Sequence, residues 1–186
     1  ERAKRNWFES YRLSKARNKA ILSLMIHQGL TTPEVSNLQL SDLKLKEGKI
    51  FIAGGRKSNE RTLELKSNQI IELMEYQFTT RNELLKYCKG ETNNLFISSP
   101  PFGRNYNVRT DCKEIWKRLS QEIREQNNYF INFKQVRTSV ITHWLKQFNL
   151  RQVQYMAGHR YVSSTEGYLV NHTEDLQKDI DEFYPF

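Results

Sequence analysis

A mainly α-helical (α+β) domain with one small antiparallel β-hairpin is the fold class the sequence predicts, and three observations point to it. Apolar residues recur at helical spacing through most of the chain. Only one passage, Lys49 to Leu65, has the short, turn-separated character of paired strands. The chain has 186 residues, 38% of them hydrophobic, which suits one domain with a core of its own.

The elements follow in order. Between Ala16 and Gln28 the residues Ala20, Ile21, Leu24 and Met25 mark a buried helix face, and Gly29 stands where a helix end favours positive φ. Thr31-Thr32-Pro33-Glu34 reads as an N-cap with Pro in the first turn, opening a second short helix through Val35, Leu38 and Leu40. Lys49 to Ala53 and Arg61 to Leu65 form the hairpin, and its tip, Gly54 to Asn59, carries Arg56 and Lys57. Ser67 to Lys86 returns to helical periodicity, Ser98 to Asn107 reads as a loop, and Asp111 to Gln126 as a helix. Phe133 to Phe148 and Leu150 to Ala157 are amphipathic, with Gly158 ending the second. Ser163-Ser164-Thr165-Glu166 has the composition of a helix start, which predicts Tyr168 in a first helical turn. In the acidic tail from Asn171 to Phe186, Leu176, Ile180 and Phe183 form one apolar stripe.

Lys and Arg outnumber Asp and Glu by 29 to 21, a formal charge of +8, which attracts polyanions such as nucleic acid. Cys88 and Cys112 are the only cysteines and have no CxxC or metal-ligand spacing, so a disulfide framework and a structural zinc are not expected. No apolar run approaches the roughly 18 residues of a membrane span, and the basic N-terminus lacks a signal-peptide segment; the expectation is a cytoplasmic protein. The basic stretch over residues 1–15 reads as a lead-in from an upstream DNA-binding domain, with a solvated helix face as the plainer alternative.

The most informative residues are Lys134-Gln135-Val136-Arg137, then Thr142-His143-Trp144-Leu145, then Gly158-His159, and Tyr168 nine positions after that histidine. In order and spacing they resemble the signature of the tyrosine recombinase (phage integrase) family. Upstream, Gly29-Leu30 followed by Glu34-Val35, Leu38 and Asp42 is similar to the family's first catalytic box, and the hairpin tip lies where the family places its catalytic lysine. The resemblance implies a helical recombinase catalytic domain spanning 1–186, with 171–186 as a C-terminal tail helix. It implies catalytic roles for Tyr168, Arg137, His159, Lys134 and Lys57, double-stranded DNA as substrate, and a homo-oligomer, a tetramer, assembled on it. Neither a cofactor, a small-molecule substrate nor a membrane is implied.

The chemistry fits those residue types. Attack on a phosphodiester gathers negative charge on its non-bridging oxygens, so cations must surround it. Arg137 offers a planar fork that can grip two phosphate oxygens, which lysine cannot reproduce. Taken alone, an arginine is more often a surface ion-pair partner. Lys134, one turn earlier, stands where the family usually has histidine and serves as a hydrogen-bond donor or a charge rather than a base. His159 follows a glycine that permits close approach and, by resemblance, donates to the phosphate or assists proton transfer from the tyrosine. His143 reads as a packing residue. Tyr168 is selected over Tyr155 and Tyr161 by its distance from Gly158-His159, and a phosphotyrosine link conserves the phosphodiester energy without a nucleotide. Lys57 is the general acid, since arginine holds its proton too tightly.

One departure stands out. The family carries arginine directly after Gly-Leu, and this chain has Thr31. Removal of one such donor slows a reaction by roughly 10²–10³. Arg56 and Arg160 are the nearest substitutes, and Thr31 itself offers one neutral hydrogen bond; without a substitute the enzyme is slow. The same departure motivates a non-catalytic DNA-binding or regulatory protein as the alternative, and a relaxing topoisomerase with the same phosphotyrosine chemistry is a third reading.

Overall fold

Helix α1 (Arg2–Gln28) forms the spine of the computed structural model, which describes residues 2–98, 106–107 and 112–169. The basic lead-in is therefore continuous with the first core helix. Leu13, Ala20, Ile21, Leu24 and Met25 of α1 are buried at helical spacing. Arg17 shares that face because its guanidinium bonds Asn18 and the carbonyl of Ile97, which satisfies the buried charge. The helix ends at Gly29, φ 60°, where a Cβ would press on the Trp144 ring.

The second helix, α2 (Thr32–Asn37), is shorter than its apolar pattern suggests. Leu38 leaves the helix as an extended residue, and Leu40 opens a separate 3₁₀ turn, Leu40–Asp42. A two-residue strand β1 (Leu43–Lys44), too short for any periodicity to show, turns the expected hairpin into a three-stranded antiparallel sheet with β2 (Lys49–Ile52) and β3 (Arg61–Glu64). Ile50 pairs with Leu63 and Ile52 with Arg61, so these four side chains share the buried face.

The helical stretch from Ser67 resolves into α3 (Ser67–Glu75), one π turn (Tyr76–Thr80) and α4 (Arg81–Leu85), all packed along α1. A parallel pair not foreseen from sequence joins β4 (Cys88–Lys89) to β5 (Tyr106–Asn107). Most of the loop expected from Ser98 to Asn107, and the whole tail 171–186, lie outside the described residues.

Helices α5 (Lys113–Gln126), α6 (Phe133–Leu145) and α7 (Leu150–Ala157) fall within a few residues of expectation. A last helix, α8, begins at 163, which puts Tyr168 in its second turn rather than its first. A small cluster of Ile141, Trp144, Val153 and Ala157, with Val140, Leu145, Met156 and Tyr168 packed on it, ties α6, α7 and α8 together. His143, expected to pack, is exposed instead and contacts Gln147 2.9 Å away, because it lies off the face of α6 that carries Ile141 and Trp144. Among the described residues no helix is long and apolar enough to cross a membrane.

Leu24 is fully buried at the centre of the main core. Leu24→Ala should lower the unfolding free energy by about 3 kcal/mol, read from urea denaturation.

Candidate active site

The site begins at the N-terminus of α2. Thr31 caps the helix: its backbone N–H and its hydroxyl both donate to Glu34 Oε2 at 2.8 Å, completing a capping box. The neutral hydrogen bond that Thr31 can offer is therefore engaged within the protein. The box also fixes the Glu34 carboxylate with its other oxygen facing the sheet.

That second oxygen meets Arg61. In β3, Arg61 occupies a core-facing position and is only 2% exposed. Its Nη1 donates to Glu34 Oε1 at 2.7 Å, and its Nε donates to the Met156 carbonyl at 2.9 Å. Its Nη2 is buried without a hydrogen-bond partner among the described residues. Burial alone would raise the pKa of Glu34; the hydrogen bond and charge of Arg61, helped by the Thr31 N–H and by Arg137, outweigh it and hold the carboxyl below its ordinary value.

Arg137, on α6 one turn beyond Lys134, enters from the opposite side. Its Nη1 donates to the Gly29 carbonyl and lies 3.8 Å from Glu34 Oε2. Its Nη2 donates to the Ala157 carbonyl at 2.6 Å and lies 3.4 Å from His159 Nε2. The guanidinium is thus fixed by carbonyls at the ends of α1 and α7. Burial lowers its pKa, with the Arg61 charge acting in the same sense, while Glu34 and the Tyr168 phenol favour its charged form.

His159 is presented by a tight turn. Gly158 has φ 69°, and a Cβ there would run into the Arg61 guanidinium, so both backbone and packing require glycine. The hairpin holds the same turn: the Asn59 N–H donates to the Gly158 carbonyl at 2.9 Å, and Ser58 pairs with His159 as an isolated β-bridge. A guanidinium can only donate, so the lone pair of His159 faces Arg137 at Nε2, and the proton sits on Nδ1, donated to Thr165 Oγ1 at 2.9 Å. Burial, then the charges of Arg137 and Arg61, pull the imidazole pKa down to about 4 against the opposing effect of Glu34. At neutral pH His159 is therefore an uncharged base. The Tyr168 ring stacks on it, with centroids 5.8 Å apart and planes at 15°.

A cleft of about 620 Å³ opens beside this cluster, bounded by α2 and the hairpin tip. Arg56, Lys57, Arg137, His159 and Thr31 line it. Tyr168 reaches the group through His159 and Arg137. Lys134 is exposed and not part of the cleft lining. Arg160 is exposed and donates to the Gly55 carbonyl at 3.3 Å, bracing the hairpin tip. Sequence reasoning missed Arg61, and it named Glu34 in the first catalytic box without giving it a role. For Arg61 the signal was its register: strand alternation sets it on the same face as Leu63 and Leu65, a core position where a charge demands a partner.

The chain belongs to the phage integrase family, whose model matches residues 7–175. It is 31% identical over 175 residues to the tyrosine recombinase XerD of Staphylococcus saprophyticus, covering 91% of this chain and 55% of that protein. It is 28% identical over 172 residues to XerC of Proteus mirabilis, with 91% and 52% covered. The chain thus spans about half the length of the curated relatives it matches. Among solved structures, the fold matches the XerA recombinase at a TM-score of 0.65 and 22% identity, over 96% of this chain and 62% of that one. It also matches XerH bound to a palindromic difH substrate, in a post-cleavage complex, at 0.68 and 20% identity, over 91% and 46%. These structures share the architecture of a recombinase catalytic domain, mostly helical with a small antiparallel sheet.

The His159 environment sets a pH dependence. As pH falls from the unfolded value of 6.5 toward about 4, the unfolded chain binds a proton that the native site refuses, so stability present above pH 6.5 is lost across that window. His159→Gln should flatten the fall in melting temperature between pH 6.5 and 4, measured by circular dichroism.

Proposed function

We propose that the chain is the catalytic part of a site-specific DNA recombinase or integrase that cuts and rejoins strands through a 3′-phosphotyrosine intermediate. The observation that carries this reading is the meeting of Arg137, neutral His159 and Tyr168 at the edge of a cleft to which Arg56 and Lys57 bring positive charge beside Glu34 and Asp42, in a chain of the phage integrase family. XerH has been solved on difH, and the Tn1549 integrase on transposon right-end DNA, which supports double-stranded DNA as the substrate class.

In this reaction the Tyr168 oxygen forms a bond to phosphorus while the bond from phosphorus to the 5′ oxygen breaks. The phenol proton passes to Nε2 of the uncharged His159, whose lone pair, 3.4 Å from Arg137 Nη2 in the free protein, is released as that guanidinium turns to the phosphate. Arg137 stabilises the negative charge that grows on the non-bridging oxygens, with Arg56 contributing charge from the hairpin tip and Arg160 holding that tip. Lys57 protonates the departing 5′ oxygen, and Lys134 adds charge from the exposed end of α6. Strand rejoining runs the same steps backwards, so no cofactor enters. A homo-oligomer on DNA, a tetramer, follows by family resemblance, with the apolar stripe of the tail docking on a neighbouring copy.

The second reading, a DNA-binding protein without strand cleavage, is favoured by Thr31 alone. Nicked duplexes tiled across the DNA flanking the gene, incubated with the protein, distinguish the two: cleavage leaves a protease-sensitive covalent adduct, and binding does not. Tyr168→Phe should abolish that adduct and leave gel-shift affinity within about twofold, because only the nucleophilic oxygen is lost. Arg137→Lys should cut the adduct rate by roughly 100-fold although the charge is kept. A rate within a few-fold of the parent would remove Arg137 from the role of clamp.

A further inference from the structure

Five groups meet at the inner wall of the cleft, three of them lining it: Glu34 on α2, Arg137 on α6 and His159 on the turn after α7, with Arg61 on β3 and Tyr168 on α8 packed against them. Only one of the two arginines faces the cleft. Arg61 is sealed away from it, yet it makes the shorter contact with Glu34, 2.7 Å against 3.8 Å from Arg137. A single carboxylate therefore lies between two guanidinium groups and is committed to the buried one.

We propose that Arg61 is a positioning residue of strand cleavage, one that keeps Glu34 from neutralising Arg137 and clamps the Gly158-His159 turn beside it. The inference rests on the recombinase reading above. Arg61 acts through three contacts. Nη1 engages Glu34 Oε1, Nε engages the Met156 carbonyl in the last turn of α7, and the guanidinium fills the space against which Gly158 is packed. Without Arg61, Glu34 has one cation left within reach, Arg137, and swings onto it. The charge meant for a phosphate is then spent inside the protein, and the support under His159 is gone. Because Thr31 supplies no charge at the start of α2, nothing else among the described contacts of Glu34 offers it a cation.

The orphan Nη2 of Arg61 supports this assignment. A group selected for packing alone would not retain a buried donor that lacks an acceptor, since an apolar side chain of similar volume avoids that cost. What an apolar residue cannot supply is a positive charge within the field of Glu34, Arg137 and His159. The groups acting on His159 from the elements around it are Arg61, Arg137 and Glu34, with Thr165 and Tyr168 from α8; Arg56, Lys57 and Asp42 line the adjoining cleft.

The test compares Arg61→Lys, Arg61→Met and the double variant Arg61→Met/Glu34→Gln. Adduct formation is measured on the nicked duplex that the parent cleaves, and the His159 imidazole is titrated by NMR in the same proteins. Arg61→Met should slow adduct formation about 30-fold at saturating DNA, with affinity little changed. The double variant should recover in part, to within about tenfold of the parent, because the carboxylate that would quench Arg137 has gone while the clamp under His159 stays lost. Arg61→Met should also move the His159 titration upward from about 4, whereas Arg61→Lys, which keeps the charge, should leave it near the parent value. A purely structural role predicts a common effect of both single variants on that titration and no recovery on adding Glu34→Gln. The double variant, with both buried charges removed, keeps the test decisive if Arg61→Met does not fold: a double variant that folds and cleaves no better than 30-fold below the parent overturns the inference. Parental cleavage by Arg61→Met overturns it as well. Failure of the parent to form an adduct on any duplex overturns the recombinase reading itself, and the inference with it.

Discussion

The Glu34 carboxylate is the charge on which the site is built. It is tied to its own helix start through Thr31, to the sheet through Arg61, and to α6 through the nearby Arg137. Three elements distant in sequence are thereby held to one another by a single group. Such an arrangement is tolerable inside a protein only because the opposite charges are paired and most remaining donors find carbonyls. Breaking any one link leaves a buried charge exposed to its neighbours rather than to water, so the parts of this site are strongly interdependent.

The same arrangement explains how Arg137 can be both buried and poised. Its guanidinium is steered by carbonyl oxygens where α1 and α7 end, groups that a helix terminus leaves without partners. Gly29 and Gly158 make those termini possible by turning the chain at positive φ; a Cβ would press on the core residue Trp144 in the first case and collide with Arg61 in the second. Backbone chemistry, rather than a dedicated second carboxylate, thus sets the direction of the arginine fork.

Much of this was legible in the sequence, and for definite reasons. Long amphipathic helices announce themselves by period, so α1 and α5 to α7 fall close to expectation, and Gly29 and Gly158 mark two of their ends. The spacing from Arg137 through His159 to Tyr168 identified three residues that do come together. What the sequence hid was pairing between distant segments. β1 is two residues long, and the parallel pairing of β4 with β5 joins segments too short to show alternation. Arg61 looked like a strand residue on a polar hairpin, although alternation already set it opposite Ile52 on the inner face. Glu34 stood beside an expected N-cap in the stretch that resembles the first catalytic box, and nothing local revealed that one of its oxygens serves Arg61 and its charge reaches Arg137. Lys134, by contrast, matches the motif and yet lies outside the cleft lining, because helical spacing from Arg137 fixes its rise along α6 but not which groove it overlooks.

Helix α8 carries two residues whose tasks differ in kind. Thr165 receives the Nδ1 proton that the Arg137 donor leaves on the far side of the His159 ring; Tyr168, on the same helix, stacks on that imidazole. Both are borne by α8, which the described residues follow from 163 to 169. A displacement of α8 would move the Tyr168 ring and, in the same motion, break the contact at His159 Nδ1. The place of the tyrosine ring and the hydrogen bond that orients the imidazole are therefore set or lost together, through one helix.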